Sequence, residues 1–241
     1  MSDYFYFKEF SISQKGASLK VGTDAMLLGS FIKEQKAKRV LDIGTGTGVI
    51  ALMFAQRHPH SKIEAIELDE INAELAELNF KQSPFNKQIQ LLRGDFFDFQ
   101  FTSKFDLIFS NPPFFIDSLD SEDSRKSNSR HFSKDHLKNF ISIVVDLLRE
   151  EGVFYLIIPF ENAEIWYHTI QYHLFIHDEI IVFGKPEKAK RIILKCSRNK
   201  KDKAKSSFII RNSEGNYTNE YVKLTKDFHG VPIRLDAESE R

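Results

Sequence analysis

Val40-Leu41-Asp42-Ile43-Gly44-Thr45-Gly46-Thr47-Gly48 sets the reading of the whole chain. A short apolar run carrying one acid passes straight into alternating glycines, and an apolar stretch of helical character follows from Val49 to Arg57. A strand, a turn whose main chain approaches a ligand closely, and a helix are the expected products, as at the ligand-binding edge of an open parallel sheet. A glycine turn of this kind also serves dinucleotides, so alone it does not choose the ligand.

Outward from that stretch the grammar repeats. Ile63 to Glu67 reads as a second strand and Ile71 to Lys81 as a helix; Ile89 to Leu92 and Phe105 to Ser110 read as the third and fourth strands. From His136 to Glu150, apolar residues at Leu137, Phe140, Ile141, Val144, Val145 and Leu148 have helical spacing, and Gly152 is expected to stop that helix before the strand Val153 to Ile158. Near-continuous apolar strands alternating with helices indicate an α/β fold with a mostly parallel sheet covered on both faces. Ile176 to Phe183, Arg191 to Cys196 and Phe208 to Arg211 are expected as sheet-edge strands, with a short closing helix between Asn216 and Phe228. Upstream, Tyr4 to Ile12 suits an edge strand or hairpin, and Thr23-Asp24 reads as the cap of a helix. The expected division is an extension over 1–38, a catalytic domain over 39–230 and a flexible tail over 231–241. Asp117 to Ser129, rich in Ser, Asp and Glu, reads as a mobile loop.

With 41% apolar and 28% charged residues the composition is that of an ordinary globular protein. The formal net charge is zero, so any polyanion must be held by a local patch. Cys196 is the only cysteine, which excludes an internal disulfide and points to a reducing compartment. The eight histidines show no metal-ligand spacing, no apolar run approaches the about 18 residues of a membrane span, and the N-terminus does not read as a secretory signal. A cytoplasmic, monomeric protein with no metal and no membrane partner is expected.

Three acids fall at successive strand ends. Asp42 precedes Gly44 and Gly46. Glu67 lies about twenty residues beyond the glycines, where a carboxylate can accept ribose hydroxyls. Asp95 follows the third strand and can accept from an adenine amino group, with Phe96 alongside the ring. Singly, each acid is readable as a helix cap or a solvated turn; together they describe a nucleoside site. A dinucleotide would need the helix N-terminus clear for pyrophosphate. S-adenosylmethionine has no phosphate, and its zwitterionic tail suits a polar loop that includes an acid, so it is the expected cofactor.

Asn111-Pro112-Pro113-Phe114 follows the fourth strand. An exocyclic or amide nitrogen attacks poorly because its lone pair is delocalised. The Asn111 side-chain oxygen and the Pro112 carbonyl can accept its two hydrogens and favour the pyramidal geometry that frees that pair, while the Pro-Pro step fixes the direction of the backbone. Phe114 offers a face for stacking a base, worth about 1–3 kcal/mol. The competing reading is a plain strand-terminating turn.

Taken together these residues resemble class I methyltransferases with an Asn-Pro-Pro-aromatic motif, and in particular the bacterial tRNA1(Val) (adenine-N6)-methyltransferase family. The likeness extends over most of the chain, through Phe7 to Phe10, Lys20 to Asp24, Leu41 to Gly48, Phe105 to Phe114, Arg130-His131, Lys185-Pro186, Arg191 to Arg198 and Gly215 to Thr218. The resemblance implies a Rossmann-like fold with a seven-stranded sheet and methylation of N6 of the adenine beside the anticodon. It places S-adenosylmethionine at Asp42, Gly44, Gly46, Glu67 and Asp95, with Thr23 in the segment beside its methionine end, and the target base at Asn111, Pro112 and Phe114. Two features depart from the family: Tyr is the more usual residue at position 114, and His229 to Arg241 does not follow the family's ending.

For RNA, Lys185 to Lys205 holds ten Lys or Arg residues against Glu187 and Asp202. Lys200, Lys201 and Lys203 are the expected phosphate-binding residues, with Arg130 and His131 positioning the backbone near the site. Three alternatives stand beside this reading. Guanine-N2 methylation of ribosomal RNA is favoured by Phe114. Glutamine-N5 methylation of a protein is disfavoured by the short N-terminal extension. An RNA-binding module with a dead cofactor site is disfavoured by the intact glycine turn and Asn111.

Overall fold

The computed structural model describes residues 3–17, 20–112 and 134–230. A small antiparallel hairpin of β1 (Tyr4–Tyr6) and β2 (Ser11–Ser13) precedes the main sheet. That sheet has eight strands: β3 (Arg39–Ile43), β4 (Lys62–Glu67), β5 (Ile89–Arg93), β6 (Phe105–Ser110), β7 (Leu148–Pro159), β8 (Phe175–Lys185), β9 (Lys188–Ser197) and β10 (Ala204–Ile209). Their order is β10-β8-β9-β7-β6-β3-β4-β5, and only β9 runs against its neighbours.

The period of two along each strand creates two cores. Val40, Leu107, Phe109, Val153, Tyr155 and Ile157 face one side; Leu41, Ile43, Ile108, Phe154, Leu156 and Ile158 face the other. The first core is closed by α1 (Thr23–Phe31), α2 (Val49–Arg57), α3 (Glu70–Gln82) and, from the far end of the chain, Tyr221 and Phe228. The second is closed by α4 (Lys134–Leu147) and α5 (Ala163–Ile170). On α4, Leu137, Phe140, Ile141 and Val144 form one apolar stripe, which is why that segment is helical and where it docks. Gly29 lets α1 approach α2: a Cβ there would lie 2.7 Å from the Met53 sulfur. The hairpin belongs to the first core too, with Phe7 and Phe10 stacked at 4.3 Å. The last helix, α6 (Asn219–Thr225), is capped by the Thr218 hydroxyl.

Four expectations need correcting. The sheet has an eighth strand, because Ala204–Ile209 pairs in parallel beside β8. Of the three supposed edge strands only β10 is one: β9 is hydrogen-bonded to β7 and β8, and β8 to β9 and β10. The fourth helix ends at Leu147, not at Gly152, because Leu148 already pairs with Phe105. Gly152 instead occupies the slip in register between β6 and β7, where a Cβ would come within 2.9 Å of the Phe105 carbonyl oxygen. Thr23 and Asp24 lie inside α1, behind a Gly22 cap that supplies no side-chain bond; Asp24 instead pairs with Arg191, a charged donor, at 2.9 Å. The expected loop at Asp117 to Ser129 and the tail at 231–241 lie outside the described residues.

Candidate active site

Strand order reverses between β3 and β6, and the carboxyl edge at such a switch point is where an open α/β sheet takes its ligand. The ends of β5, β4, β3 and β6 carry Asp95, Glu67, the glycine turn and Asn111, in that lateral order. Three interstrand steps of about 4.8 Å make a row roughly 15 Å long, which suits a nucleoside with an extended side chain.

The turn is held from below and open above. Gly44 and Thr45 both donate main-chain N–H groups to the Ile66 carbonyl oxygen, at 3.0 and 3.1 Å. Gly46 has φ 58° and a Cβ there would meet nothing within 4 Å, so the glycine serves the turn and leaves space over it. Gly48 is different: at φ 85° it also lies under the Phe80 ring, which a Cβ would approach to 2.4 Å. Asn79, fully buried on α3, braces the loop by donating to the Thr47 carbonyl at 2.8 Å, and ties the N-terminal hairpin to it through the Ser13 N–H and carbonyl.

Asp42 is buried beneath the turn. One of its oxygens accepts the Thr45 hydroxyl at 2.6 Å, and the other has no hydrogen-bond partner among the described residues. Burial raises its carboxyl to about 7; the Thr45 bond opposes this, the Glu67 charge adds to it, and the Ala51 N–H opposes it. Glu67 is tightly held: Oε1 accepts from the Leu68 and Asp69 N–H groups, and Oε2 accepts from Gly46 N–H at 2.8 Å. Asp95 caps its own turn by accepting the Phe97 N–H at 3.0 Å. The Phe96 ring is buried against Phe97, Phe101 and Phe140, with centroids 5.3 to 5.9 Å apart. Its expected open face is thus taken up by core packing.

On β6, the Ser110 hydroxyl donates to the Ile43 carbonyl at 2.9 Å and ties this strand end to the glycine turn. Asn111 follows immediately. Its Oδ1 is buried and accepts no hydrogen bond from a described residue, while Pro112 beside it is buried. A buried acceptor without a donor is costly unless another molecule supplies one. Thr23 lies at the same edge, because its neighbour Asp24 is paired with Arg191, which sits opposite Pro159 at the end of β7. Phe114, Arg130 and His131 lie outside the described residues.

Lys200, Lys201 and Lys203 are not brought to this site. Because β9 runs antiparallel to β7, its far end at Ser197 pairs with Val153 at the amino edge of the sheet, and the three lysines follow it there. Ser110 is level with Leu156 and so with Leu194, and Ser197 lies three residues further down β9. At about 3.4 Å per residue the lysines begin roughly 10 Å below the end of β6, on the side away from the glycine turn. Lys203 is also neutralised by Glu179 at 2.6 Å. Three exposed apolar residues at the carboxyl edge escaped the sequence reading: Leu68 and Ile71, just after Glu67, and Phe160, just after β7. An apolar residue following a strand-end acid was the available signal for Leu68.

Among the described residues, no group of three or more His, Cys, Asp or Glu is placed to hold a metal, and no helix is long and apolar enough to cross a membrane. The model of the methyltransferase small domain matches residues 16–175. A protein of Bacteroides thetaiotaomicron named tRNA1(Val) (adenine(37)-N6)-methyltransferase is 37% identical, with 94% of this chain and 97% of that protein covered. One of the same name from a Flavobacteriaceae bacterium is 38% identical over 93% of this chain and 97% of its own length. In fold the chain is similar to the crystal structure of a predicted O-methyltransferase from Agrobacterium tumefaciens, with a TM-score of 0.69, 16% identity, and 85% of this chain and 96% of that one covered.

Proposed function

The chain belongs to the tRNA1(Val) (adenine(37)-N6)-methyltransferase family, and from that premise we propose that it transfers a methyl group from S-adenosylmethionine to N6 of adenine 37 in tRNA1(Val). The observation that carries the chemistry is Asn111 Oδ1, buried and without a donor among the described residues, at a strand end tied to the glycine turn. An exocyclic NH2 group is the donor that would satisfy it.

The residues present fit the cofactor. Above Gly44 and Gly46 there is open space, and Asp42 keeps a second oxygen without a partner. A carboxylate has about four acceptor positions, and Glu67 uses three on main-chain N–H groups, so Oε2 has one left for a ribose hydroxyl. Accepting both hydroxyls requires the bond from Gly46 to open. Leu68, exposed beside this carboxylate, offers an apolar surface to the adenine of the cofactor. Asp95 lies one strand further along, on the adenine side. When bound, S-adenosylmethionine supplies a methyl group on a sulfonium.

Asn111 Oδ1 and the Pro112 carbonyl accept the two N6 hydrogens, hold the nitrogen pyramidal and direct its lone pair at the methyl carbon. Phe114 supplies the stacking face for the base. No general base is needed, since the aminium formed on transfer is acidic enough to lose its proton to water. Holding the reacting atoms in line is the main contribution of the site.

The test is mass-spectrometric nucleoside analysis of tRNA and ribosomal RNA from a strain lacking this protein. Loss of N6-methyladenosine from tRNA1(Val) supports the reading; loss of N2-methylguanosine from ribosomal RNA with N6-methyladenosine intact overturns it.

A further inference from the structure

The basic segment divides in two. At the amino edge Lys203 and Lys205 share Glu179, and midway along β9 Lys195 is paired with Glu34 at 2.6 Å. Lys200 and Lys201 have no ion pair with a described residue but lie at the edge away from Asn111. At the carboxyl edge the tip of the β8–β9 hairpin carries Lys185, Lys188 and Lys190, all exposed and none ion-paired with a described residue. The single acid of the tip, Glu187, sits at φ 79°, in the left-handed region that favours glycine. Arg191, the next cation along β9, lies opposite Pro159, three residues beyond the Leu156 that pairs with Ser110. The tip therefore projects past the end of β6 as a wall two strands from Asn111.

A second feature stands beside it. The Arg211 N–H donates to the Gly184 carbonyl at 3.2 Å, which fixes Arg211 next to the hairpin. Its guanidinium lies 3.8 Å from the Tyr217 ring centroid, and Tyr217 is stacked on Tyr221 at 4.7 Å with 10° between the planes. Arg211 has no acidic partner among the described residues: its Nη1 donates to the Gly215 carbonyl at 2.8 Å, and it remains half-buried. Unpaired cations next to an ordered cation–aromatic column are what single-stranded RNA binds, phosphates on the lysines and a base on the guanidinium plane.

We propose that the RNA-docking surface is this carboxyl-edge wall, with Lys185, Lys188 and Lys190 holding backbone phosphates and Arg211, braced by Tyr217, stacking a nucleotide that flanks the target. This rests on the reading of the site as an RNA methyltransferase. The lysines at 200, 201 and 203 then have no part in docking.

The experiment measures binding of unmodified tRNA1(Val) transcript across a salt series, with S-adenosylmethionine titration calorimetry as the check of folding. Reversing all three tip lysines (Lys185→Glu, Lys188→Glu, Lys190→Glu) should weaken binding at least about tenfold and flatten the log–log salt slope by about 2, at about 0.7 per phosphate contact. Cofactor affinity should not change. Lys200→Glu with Lys201→Glu should leave both binding and slope unaltered. Arg211→Lys, which keeps the charge but not the plane, should weaken binding without changing the slope. Unchanged binding by the tip variant, or a loss with Lys200→Glu and Lys201→Glu equal to that at the tip, overturns the proposal. Tip-dependent binding with no N6-methyladenosine formed by the native protein would support the docking surface and sink only the enzymatic reading.

Discussion

Glu67 Oε2 accepts the main-chain N–H of Gly46 at 2.8 Å, so the acid at the end of β4 grips the glycine turn at the end of β3. The carboxylate holds the turn in shape, and on the proposed reading its remaining lone pair accepts a ribose hydroxyl. Glu67→Gln keeps the size but puts an amide donor against one of these N–H groups. Losing a charge-assisted bond costs about 1.5–3 kcal/mol, so we expect chemical denaturation to register a destabilisation of that order together with cofactor binding weakened at least tenfold. Unchanged stability would mean that the turn does not depend on Glu67.

Asn111 should behave in the opposite sense. Its Oδ1 is buried without a donor among the described residues, a cost of about 1–3 kcal/mol that Asn111→Ala removes. We expect the variant to melt at an equal or higher temperature and to bind cofactor normally, while turnover falls about 10²–10³-fold, the usual loss on removing one preorganised polar group. A variant both less stable and still active would assign Asn111 to structure.

The buried carboxyl of Asp42 makes stability depend on pH. The folded protein holds this proton up to about 7, whereas the unfolded chain releases it near 3.8. Between those values the folded state binds more protons, so the contribution of this group to stability falls as pH rises and levels off above about 7, a loss on the order of 4 kcal/mol. Asp42→Asn should flatten the stability profile over that window and raise stability at pH 8, at the expense of cofactor affinity. Parallel profiles for the native and variant proteins from pH 4 to 7 would contradict this.

The turn Lys185-Pro186-Glu187-Lys188 places proline first and a left-handed residue second, a type II arrangement that prefers glycine where Glu187 stands. Glu187→Gly should relieve roughly 1 kcal/mol of backbone strain and raise the melting temperature by about 2–4 °C. It also removes the one negative charge at the tip, so binding of tRNA1(Val) transcript should tighten at low salt. A lower melting temperature would show that the Glu187 side chain stabilises the turn by contacts that outweigh its strain.

Some of these features are readable along the chain because their causes are local. The run from Val40 to Gly48 combines strand hydrophobicity with a turn that only glycine accommodates, and the structure puts it where that chemistry requires. The stripe on α4 is equally local in its spacing, but its end is not: Leu147 closes the helix because Leu148 finds Phe105 on another strand. Phe96 looks like a ligand-facing aromatic when read beside Asp95, and it is the distant Phe140 that claims its ring.

By itself, then, the amino-acid sequence determined that this is an α/β protein with three strand-end acids, a glycine turn and an Asn-Pro-Pro step, because short-range sterics and periodicity enforce each of these. Which cations share an edge with Asn111 was decided only by tertiary structure. Lys188 and Lys200 are close in sequence, yet β9 runs between them, and its antiparallel pairing with β7 sends one past the carboxyl edge that carries Asn111 and the other to the amino edge. The tight turn at Pro186-Glu187 makes β9 antiparallel to β8 locally, but which edge of the sheet its tip reaches is set by the pairing of β9 with β7, a segment far away in the chain.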